Sequence, residues 1–234
     1  MKEVTRFANP LTLLEQVTQD LAKLGPKKFM SGAGHLPQKA KELFFAFFFV
    51  MGLKKLTGID WWLSQDVGDT FPDFDLIGFY DVDPFAAIYR FELVTIPDHC
   101  KNFNEAFDIV KGKFKKGYPT KFNLLIFINN SNSRVWMNQL NEAIENYDPF
   151  KEVWVVFPLY KNANEVAATV VNRLRPRPSK GTAVKFDDPD LKKPQKLPDF
   201  LEEIEVDGLK NLRVNEEFLT EFRKKMIKNR LKRK

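Results

Sequence analysis

"FPDFDLIGF" (Phe71–Phe79) and "YRFELVTIP" (Tyr89–Pro97) are the two stretches that decide the fold. Within them, Phe74–Tyr80 and Ala87–Ile96 are rich in aromatic and β-branched residues, a composition that favours β-strands. The connecting residues "DVDPF" contain the aspartates and proline that favour a turn. The sequence therefore predicts a β-hairpin at this point of the chain.

The second strand of this hairpin carries an acid, Glu92, inside the apolar run Phe91–Ile96. A buried carboxylate costs several kcal/mol unless a cation compensates it. Two kinds of compensation are open: an ion pair with Arg90 or a helix lysine, or a bound metal ion. Asp73 precedes Glu92 by 19 positions with a turn midway, and carboxylates on adjacent strands about 4.8 Å apart can share Mg²⁺. Asp75 has the same side-chain parity as Asp73, so spacing alone leaves both as candidate ligands.

Composition indicates a globular chain with a large apolar core. The 234 residues are 44% hydrophobic and include 23 phenylalanines, enough for one sizeable core or for one core and a small appendage. The most apolar run, Leu43–Leu53, is shorter than the roughly 20 residues of a membrane span, which predicts a buried helix. Met1–Gly25 does not have the pattern of a secretory signal. The lone cysteine, Cys100, suits a reducing compartment. We therefore expect a cytoplasmic protein without a membrane segment.

The charge is unevenly distributed along the chain. Asp60–Asp98 contains nine acids and one base, a net charge of −8 in a chain whose total is +6. Lys210–Lys234 contains ten bases and three acids. An acidic segment in a basic protein is typical of a divalent-metal site on a surface that binds polyanions. A solvated acidic loop with a solvated basic tail is the alternative.

Around the hairpin, helices alternate with apolar strands. Strands that alternate with helices of about 14 residues predict an α/β sheet with right-handed crossovers. The predicted elements are a helix from Pro10 to Leu24, a helix from Pro37 to Leu56, a strand at Asp60–Ser64, the hairpin, a helix at Asn102–Lys115, a strand at Phe122–Asn129, a helix at Arg134–Tyr147 capped by Ser133, and a strand at Glu152–Leu159.

The pattern predicts three regions. Residues 1–36 form an N-terminal helix and loop, 37–171 an α/β core, and 172–234 an irregular, proline-containing connector followed by a basic C-terminal helix. In that last helix, Asn215 to about Leu231, the acids come first and the bases last, which suits the helix dipole. The basic end, Phe222–Lys234, interleaves apolar residues with eight bases, which predicts a helix that docks on the core and meets phosphates, or else a frayed tail.

The hairpin resembles the metal site of the PD-(D/E)XK nuclease superfamily, which has the restriction-endonuclease-like fold. The letters "PD" stand at Pro72-Asp73, and Glu92-Leu93-Val94 lies where the family has Asp/Glu-x-Lys. The order of helices and strands over roughly Gln38–Leu159 is also similar. The resemblance implies a mixed sheet flanked by helices, with a C-terminal basic extension in this chain. It also implies that Asp73 and Glu92 ligate Mg²⁺ or Mn²⁺, with Asp75 as the alternative to Asp73, and that Glu42 assists.

Val94 departs from the family pattern, because the lysine expected there stabilises charge on the phosphate and helps to activate water. A valine does neither. Three explanations are open. The lysine has moved to the following helix, or the metal site works with another base or none, or the site is inactive and the fold serves binding or assembly.

The lengths of the strand and of the following helix predict which residue replaces that lysine. From Glu92 to the strand end at Ile96 is about 13 Å at about 3.3 Å per residue. A helix that returns beside the strand rises about 1.5 Å per residue and needs about nine residues to come level. Starting near Asn102, that count ends at Lys111, with Lys113 next.

The resemblance therefore predicts an Mg²⁺-dependent endonuclease that hydrolyses phosphodiester bonds, with DNA favoured over RNA. The alternative is a degenerate module with the same fold that binds DNA or assembles a complex; a homodimer and a larger protein–DNA complex are both open. Other chemistries lack their signatures: His35, His99 and Cys100 have no zinc-site spacing, and no phosphate-binding glycine loop follows a strand.

Overall fold

The computed structural model describes most of the predicted core and part of the C-terminal region. The described residues are 10–11, 19, 35–64, 73–80, 83–118, 122–129, 133–144, 150–162, 165–178, 181–185, 188–189, 201–206, 209–215, 217, 220–221 and 224. Most of the predicted N-terminal and basic C-terminal helices lies outside these ranges, as does part of the predicted connector.

The helices and strands follow one another in the predicted order from the long apolar helix to the last predicted strand. In the described ranges, the elements are α1 (His35–Thr57), β1 (Trp61–Ser64), β2 (Phe74–Tyr80), β3 (Asp83–Ile96), α2 (Phe103–Phe114), β4 (Asn123–Ile128), α3 (Ser133–Ala143), β5 (Val153–Asn162), β6 (Glu165–Arg175), β7 (Thr182–Val184), β8 (Leu201–Val206) and β9 (Leu209–Val214).

Seven of these strands form one mixed sheet in the order β1-β2-β3-β4-β5-β6-β7. Strands β3, β4 and β5 are parallel to one another, and the other neighbours are antiparallel. The predicted hairpin is confirmed as β2–β3, with Phe74 opposite Phe91. Its second strand begins at Asp83, four residues earlier than predicted, because pairing with β2 continues into the segment that had been interpreted as a turn. The prediction of an α/β fold with a mixed sheet flanked by helices is confirmed at this level.

Helix α1 covers one side of the sheet with aromatic rings. Phe45 stacks on Phe127 of β4 with 3.7 Å between ring centroids. Phe49 meets the edges of Phe91 and Trp154, at 4.9 and 5.3 Å between centroids. The apolar run that the sequence analysis singled out therefore lies buried against the sheet, and no helix in the described ranges combines the length and hydropathy that crossing a bilayer requires.

Helices α2 and α3 cover the other side of the sheet. Val94 and Ile96 of β3 pack there with Phe107 and Val110 of α2 in a second apolar cluster. Because side chains alternate along a strand, Phe91 and Leu93 face α1, whereas Glu92 points to the α2 side together with Val94. This alternation positions the candidate site.

The C-terminal part of the sheet was not predicted. The predicted boundary between residues 171 and 172 falls inside β6, which pairs with β5, and β7 then adds a further antiparallel strand. The polar residues near Asn172 were interpreted as an irregular connector, but the backbone there is held by long-range pairing that local composition does not reveal. Strands β8 and β9 form a separate two-stranded hairpin.

Candidate metal and phosphate site

Two carboxylates meet at the start of the β2–β3 hairpin. Asp73 lies one residue before β2, whose first residue Phe74 pairs with Phe91, and the Asp73 N–H donates to the carbonyl of Phe91 at 3.0 Å. The Asp73 side chain is fixed against β3, because Oδ2 accepts a hydrogen bond from the Leu93 N–H at 2.7 Å. The predicted meeting of Asp73 and Glu92 on adjacent strands is therefore found.

A lysine from α2 lies between these acids. The ammonium nitrogen of Lys113 is 2.9 Å from Glu92 Oε2 and 3.5 Å from Asp73 Oδ2. Glu92 is only 2% exposed, so its charge requires a partner. Of the two kinds of compensation that the sequence left open, the structure contains the helix lysine.

The lysine at the site is Lys113, not Lys111. The ammonium nitrogen of Lys111 is 3.3 Å from Asp108 Oδ1 and 4.8 Å from the centroid of the Phe107 ring. Two residues differ by about 200° around a helix, so Lys111 and Lys113 cannot both point at β3. Counting residues along α2 predicted correctly where the helix comes level with Glu92. Which of the two lysines contacts Glu92 depends on the face of the helix that each occupies.

The register also distinguishes Asp73 from Asp75. Asp75 lies opposite Arg90 on β3, with 3.9 Å between Arg90 Nε and Asp75 Oδ1. Asp73 is the acid that shares the Lys113 ammonium group with Glu92. Asp75 is therefore the weaker candidate ligand.

Glu42 is not brought to the site. It lies on α1, which packs on the side of the sheet opposite to α2. About one turn later, Phe45 stacks on Phe127, which pairs with Thr95 rather than with Glu92. Glu42, Asp73 and Glu92 are all among the described residues. In the part of the chain that the structure describes, no group of three or more His, Cys, Asp or Glu side chains could hold a metal ion. The assisting role expected of Glu42 has no support in this geometry.

Val94 lies in the core, as an apolar residue in an apolar strand is expected to do. It is buried on the α2 side in the apolar cluster that contains Ile96, Phe107 and Ile126. A lysine at this position would place a charged group among those side chains. The cation of the site therefore comes from the helix rather than from the strand.

Tyr118 is a neighbour of the site that the sequence analysis missed. Gly117 has a φ of +66° just after α2, a conformation that favours glycine, and Tyr118 follows it into the interior. Its ring centroid lies 5.9 Å from Lys113 Nζ and 5.4 Å from that of Phe150. No sequence signal identified Tyr118, because its proximity depends on this turn.

The electrostatics keep Lys113 charged and Tyr118 neutral. Burial lowers the pKa of Lys113, but the charge of Asp73 and the hydrogen bond and charge of Glu92 outweigh it, so the pKa is raised above its usual value. Burial raises the pKa of Tyr118 to about 12; Lys113 opposes the rise and Glu92 adds to it. Lys113 is therefore a fixed positive charge and not a proton acceptor.

One carboxylate oxygen lacks a partner. Glu92 Oε1 is buried and has no hydrogen bond, whereas Oε2 binds Lys113. Both contacts of the Asp73 side chain use Oδ2. Mg²⁺ prefers oxygen ligands and is commonly bound through one or two carboxylates with several waters retained. The donor set of Asp73 and Glu92 therefore fits a magnesium or manganese ion.

Comparison of the chain with family models, with curated proteins and with solved structures finds no match. The function is therefore inferred from the geometry of the site and from the charges around it.

Proposed function

We propose that this protein is a metal-dependent nuclease that hydrolyses phosphodiester bonds in DNA. The observation that supports the proposal most strongly is the arrangement of Asp73 and Glu92 on adjacent strands with the Lys113 ammonium group 3.5 and 2.9 Å from their respective oxygens. Two acids and a lysine are the residue types that the resemblance to PD-(D/E)XK nucleases requires. Here the lysine comes from α2.

Each residue has a distinct role in the proposed reaction. A bound Mg²⁺ or Mn²⁺ would polarise a phosphoryl oxygen and lower the pKa of water. Asp73 and Glu92 hold the ion, with Asp73 oriented by the Leu93 N–H. Lys113 stabilises negative charge on the phosphate. Because its pKa is raised, Lys113 does not serve as the general base, and the water proton passes to solvent or to the substrate.

The order and pairing of the elements support the finer fold assignment. A helix, a β-hairpin, and two further parallel strands reached through α2 and α3 surround the site. We include the restriction-endonuclease-like arrangement in the proposal, with β6 and β7 as an extension of the sheet.

Positive charge near the site favours a polyanionic substrate. Lys115 and Lys116 are exposed directly after α2. Lysines at the mouth of a site attract phosphates and steer nucleic acids. The proposal keeps three expectations of the sequence analysis. The substrate is DNA rather than RNA, the protein acts as a homodimer or in a larger protein–DNA complex, and its location is cytoplasmic.

A second candidate function is a degenerate module that binds DNA or assembles a complex without cleavage. The observation that favours it is Lys113 itself, since its ammonium group already compensates Glu92 without a metal ion. A buried ion pair of this kind is also found as a purely structural feature. Metal binding and DNA cleavage distinguish the two functions.

The test combines plasmid nicking with calorimetric titration of Mg²⁺ and Mn²⁺. The variants are Glu92→Gln, Asp73→Asn and, as a control on the same strand, Asp75→Asn. The nuclease proposal predicts that nicking and metal binding disappear in the first two variants and persist in the control. Metal binding without nicking by the wild type would favour the degenerate module. Metal binding that is unaffected by Glu92→Gln, or that is absent from both the wild type and Lys113→Met, would exclude the proposed metal site.

A further inference from the structure

The Lys113 ammonium group interacts with the same two acids that the proposed function assigns to the metal ion. It contacts Glu92 Oε2 and Asp73 Oδ2 at 2.9 and 3.5 Å. One oxygen belongs to β3 and the other to the residue that precedes β2, so Lys113 bridges the carboxylates as a divalent cation would. Of the two oxygens of the Glu92 carboxylate, Oε1 is left buried without a hydrogen bond.

We propose that Lys113 is an internal counter-ion that holds the two carboxylates in the metal-free protein and leaves them when a metal ion binds, so that metal and phosphate binding are coupled. This inference rests on the proposed function, because it concerns the same acids. It adds that the metal site is self-blocked in the absence of substrate.

The coupling follows from competition for the same charge. An ammonium group and a metal ion repel each other and compete for carboxylate oxygens. When Lys113 leaves Asp73 and Glu92, its charge needs another partner, and a substrate phosphate supplies one. The metal-free state therefore opposes metal binding, and a phosphate at the site relieves that opposition. Thermodynamic linkage requires the effect to be reciprocal, so the metal ion must strengthen phosphate binding by the same factor.

The surroundings of Lys113 provide space for this movement. The side chain is 18% exposed, so it has a route to solvent. The flexible four-carbon stem of a lysine allows its ammonium group to change partners without movement of the helix.

The first experiment titrates Mn²⁺ calorimetrically into the wild type, Lys113→Met and Lys111→Met. Lys111→Met is a matched control because it removes the same charge from the same helix but at a lysine that pairs with Asp108. We expect Mn²⁺ to bind Lys113→Met at least about tenfold more tightly than the wild type, while Lys111→Met stays within about threefold. The double variant Glu92→Gln/Lys113→Met should lose this gain.

A second readout is thermal unfolding in EDTA and in Mn²⁺. We expect Lys113→Met to have a lower Tm than the wild type in EDTA, and Mn²⁺ to raise its Tm by more than it raises that of the wild type. Lys113→Gln, which keeps a polar group, serves as a second variant if Lys113→Met does not fold in EDTA. Folding of Lys113→Met that requires Mn²⁺ would itself support the inference.

A third readout is the coupling with phosphate. A short DNA duplex with phosphorothioate linkages, which resist hydrolysis, should increase the Mn²⁺ affinity of the wild type and have a smaller effect on Lys113→Met.

The outcomes separate this inference from the proposed function. Mn²⁺ binding that depends on Glu92 but is unchanged or weaker in Lys113→Met and Lys113→Gln would overturn the inference and leave the metal site intact. No Glu92-dependent binding in any variant would overturn both. Binding that appears only when Lys113 is replaced would support self-blocking in its strongest form.

Discussion

Lys113 Nζ lies 2.9 Å from Glu92 Oε2 and thereby joins the last turn of α2 to the strand β3, beside which it packs. The other oxygen of Glu92 has no hydrogen bond, so this contact is the main compensation for its buried charge. An acid that an apolar strand would otherwise disfavour is kept in place by a side chain 21 residues further along the chain. Stability and the proposed chemistry therefore depend on the same pair.

Replacing Lys113 alone should destabilise the protein. Lys113→Met leaves a buried carboxylate without its cation, and breaking a buried pair on one side costs about 3 kcal/mol or more. Removing both charges in Glu92→Gln/Lys113→Met should recover part of that loss. Urea unfolding in EDTA measures each free energy, and a double-mutant cycle gives the coupling. Additive effects of the two substitutions would contradict a direct interaction.

The two lysines of α2 should differ in their effect on DNA cleavage. Replacing Lys113 removes a positive charge aimed at the phosphate, and loss of one such stabilising group typically lowers the rate by about 10²–10³-fold. Replacing Lys111 should change the rate by less than about threefold, because its ammonium group pairs with Asp108. Nicking rates at saturating Mn²⁺ make the comparison, and equal losses would show that charge on the helix, not position, matters.

The free energy of unfolding should fall at high pH because Lys113 loses its proton. Its pKa is raised in the folded protein above the ordinary value of 10.5, so the folded state binds its proton more tightly than the unfolded state does. The resulting stabilisation is fully present below that ordinary value and is lost as pH rises through the folded pKa. Urea unfolding between about pH 9 and about pH 12 should show a steeper decline for the wild type than for Lys113→Met, with the difference appearing above about pH 10.5. Equal declines in the stability of the wild type and of Lys113→Met would exclude Lys113 as the cause.

Two helix glycines should respond in opposite directions to alanine. At Gly112 of α2 an added Cβ meets open space, and Gly→Ala in a helix stabilises by about 0.5–1 kcal/mol. At Gly52 of α1 the Cβ would lie 2.2 Å from Val171 Cγ2 of β6, so overpacking should destabilise by about 1–3 kcal/mol. Thermal unfolding tests both, and stabilisation by Gly52→Ala would contradict the close packing of α1 on β6.

The single thiol should be unreactive in the folded protein. Cys100 is buried, and burial raises its pKa with the charges of Glu105 and Asp98 adding to the rise. The reactive thiolate is therefore both scarce and inaccessible at neutral pH. A chromogenic disulfide reagent should react slowly with the native protein and rapidly in denaturant. Fast reaction in the native state would show that this part of the structure opens readily.

Much of the α/β core was predictable from local pattern. The apolar runs, the capping residues and the turn between β2 and β3 placed the elements from α1 to β5 in the correct order. Helix α2 begins at Phe103, one residue after the predicted start, and Asn102 caps it by accepting a hydrogen bond from the Glu105 N–H. The proximity of an acid near the start of β2 to Glu92 also followed from the spacing across the hairpin, but the choice of Asp73 over Asp75 did not, because the β2–β3 register shifts between Phe79 and Tyr80.

Local pattern did not predict the C-terminal strands of the main sheet. Strand β6 is held by pairing with β5, and β7 by pairing with β6. Lys55 of α1 also reaches the carbonyl of Ala183 in β7. These contacts join residues far apart in the chain, so the polar composition around Asn172 carried no sign of them.

The sequence by itself determined that an acid would be buried in β3, that a second acid would lie across the hairpin, and that α2 would bring lysines level with them. Only the tertiary structure decided which lysine contacts Glu92 and that Glu42 lies on a helix on the other side of the sheet. The helix face turned towards β3 selects Lys113 over Lys111, and the packing of α1 on the other side of the sheet separates Glu42 from Glu92. Position along an element follows from counting residues, whereas the face that an element presents depends on what the rest of the chain packs against it.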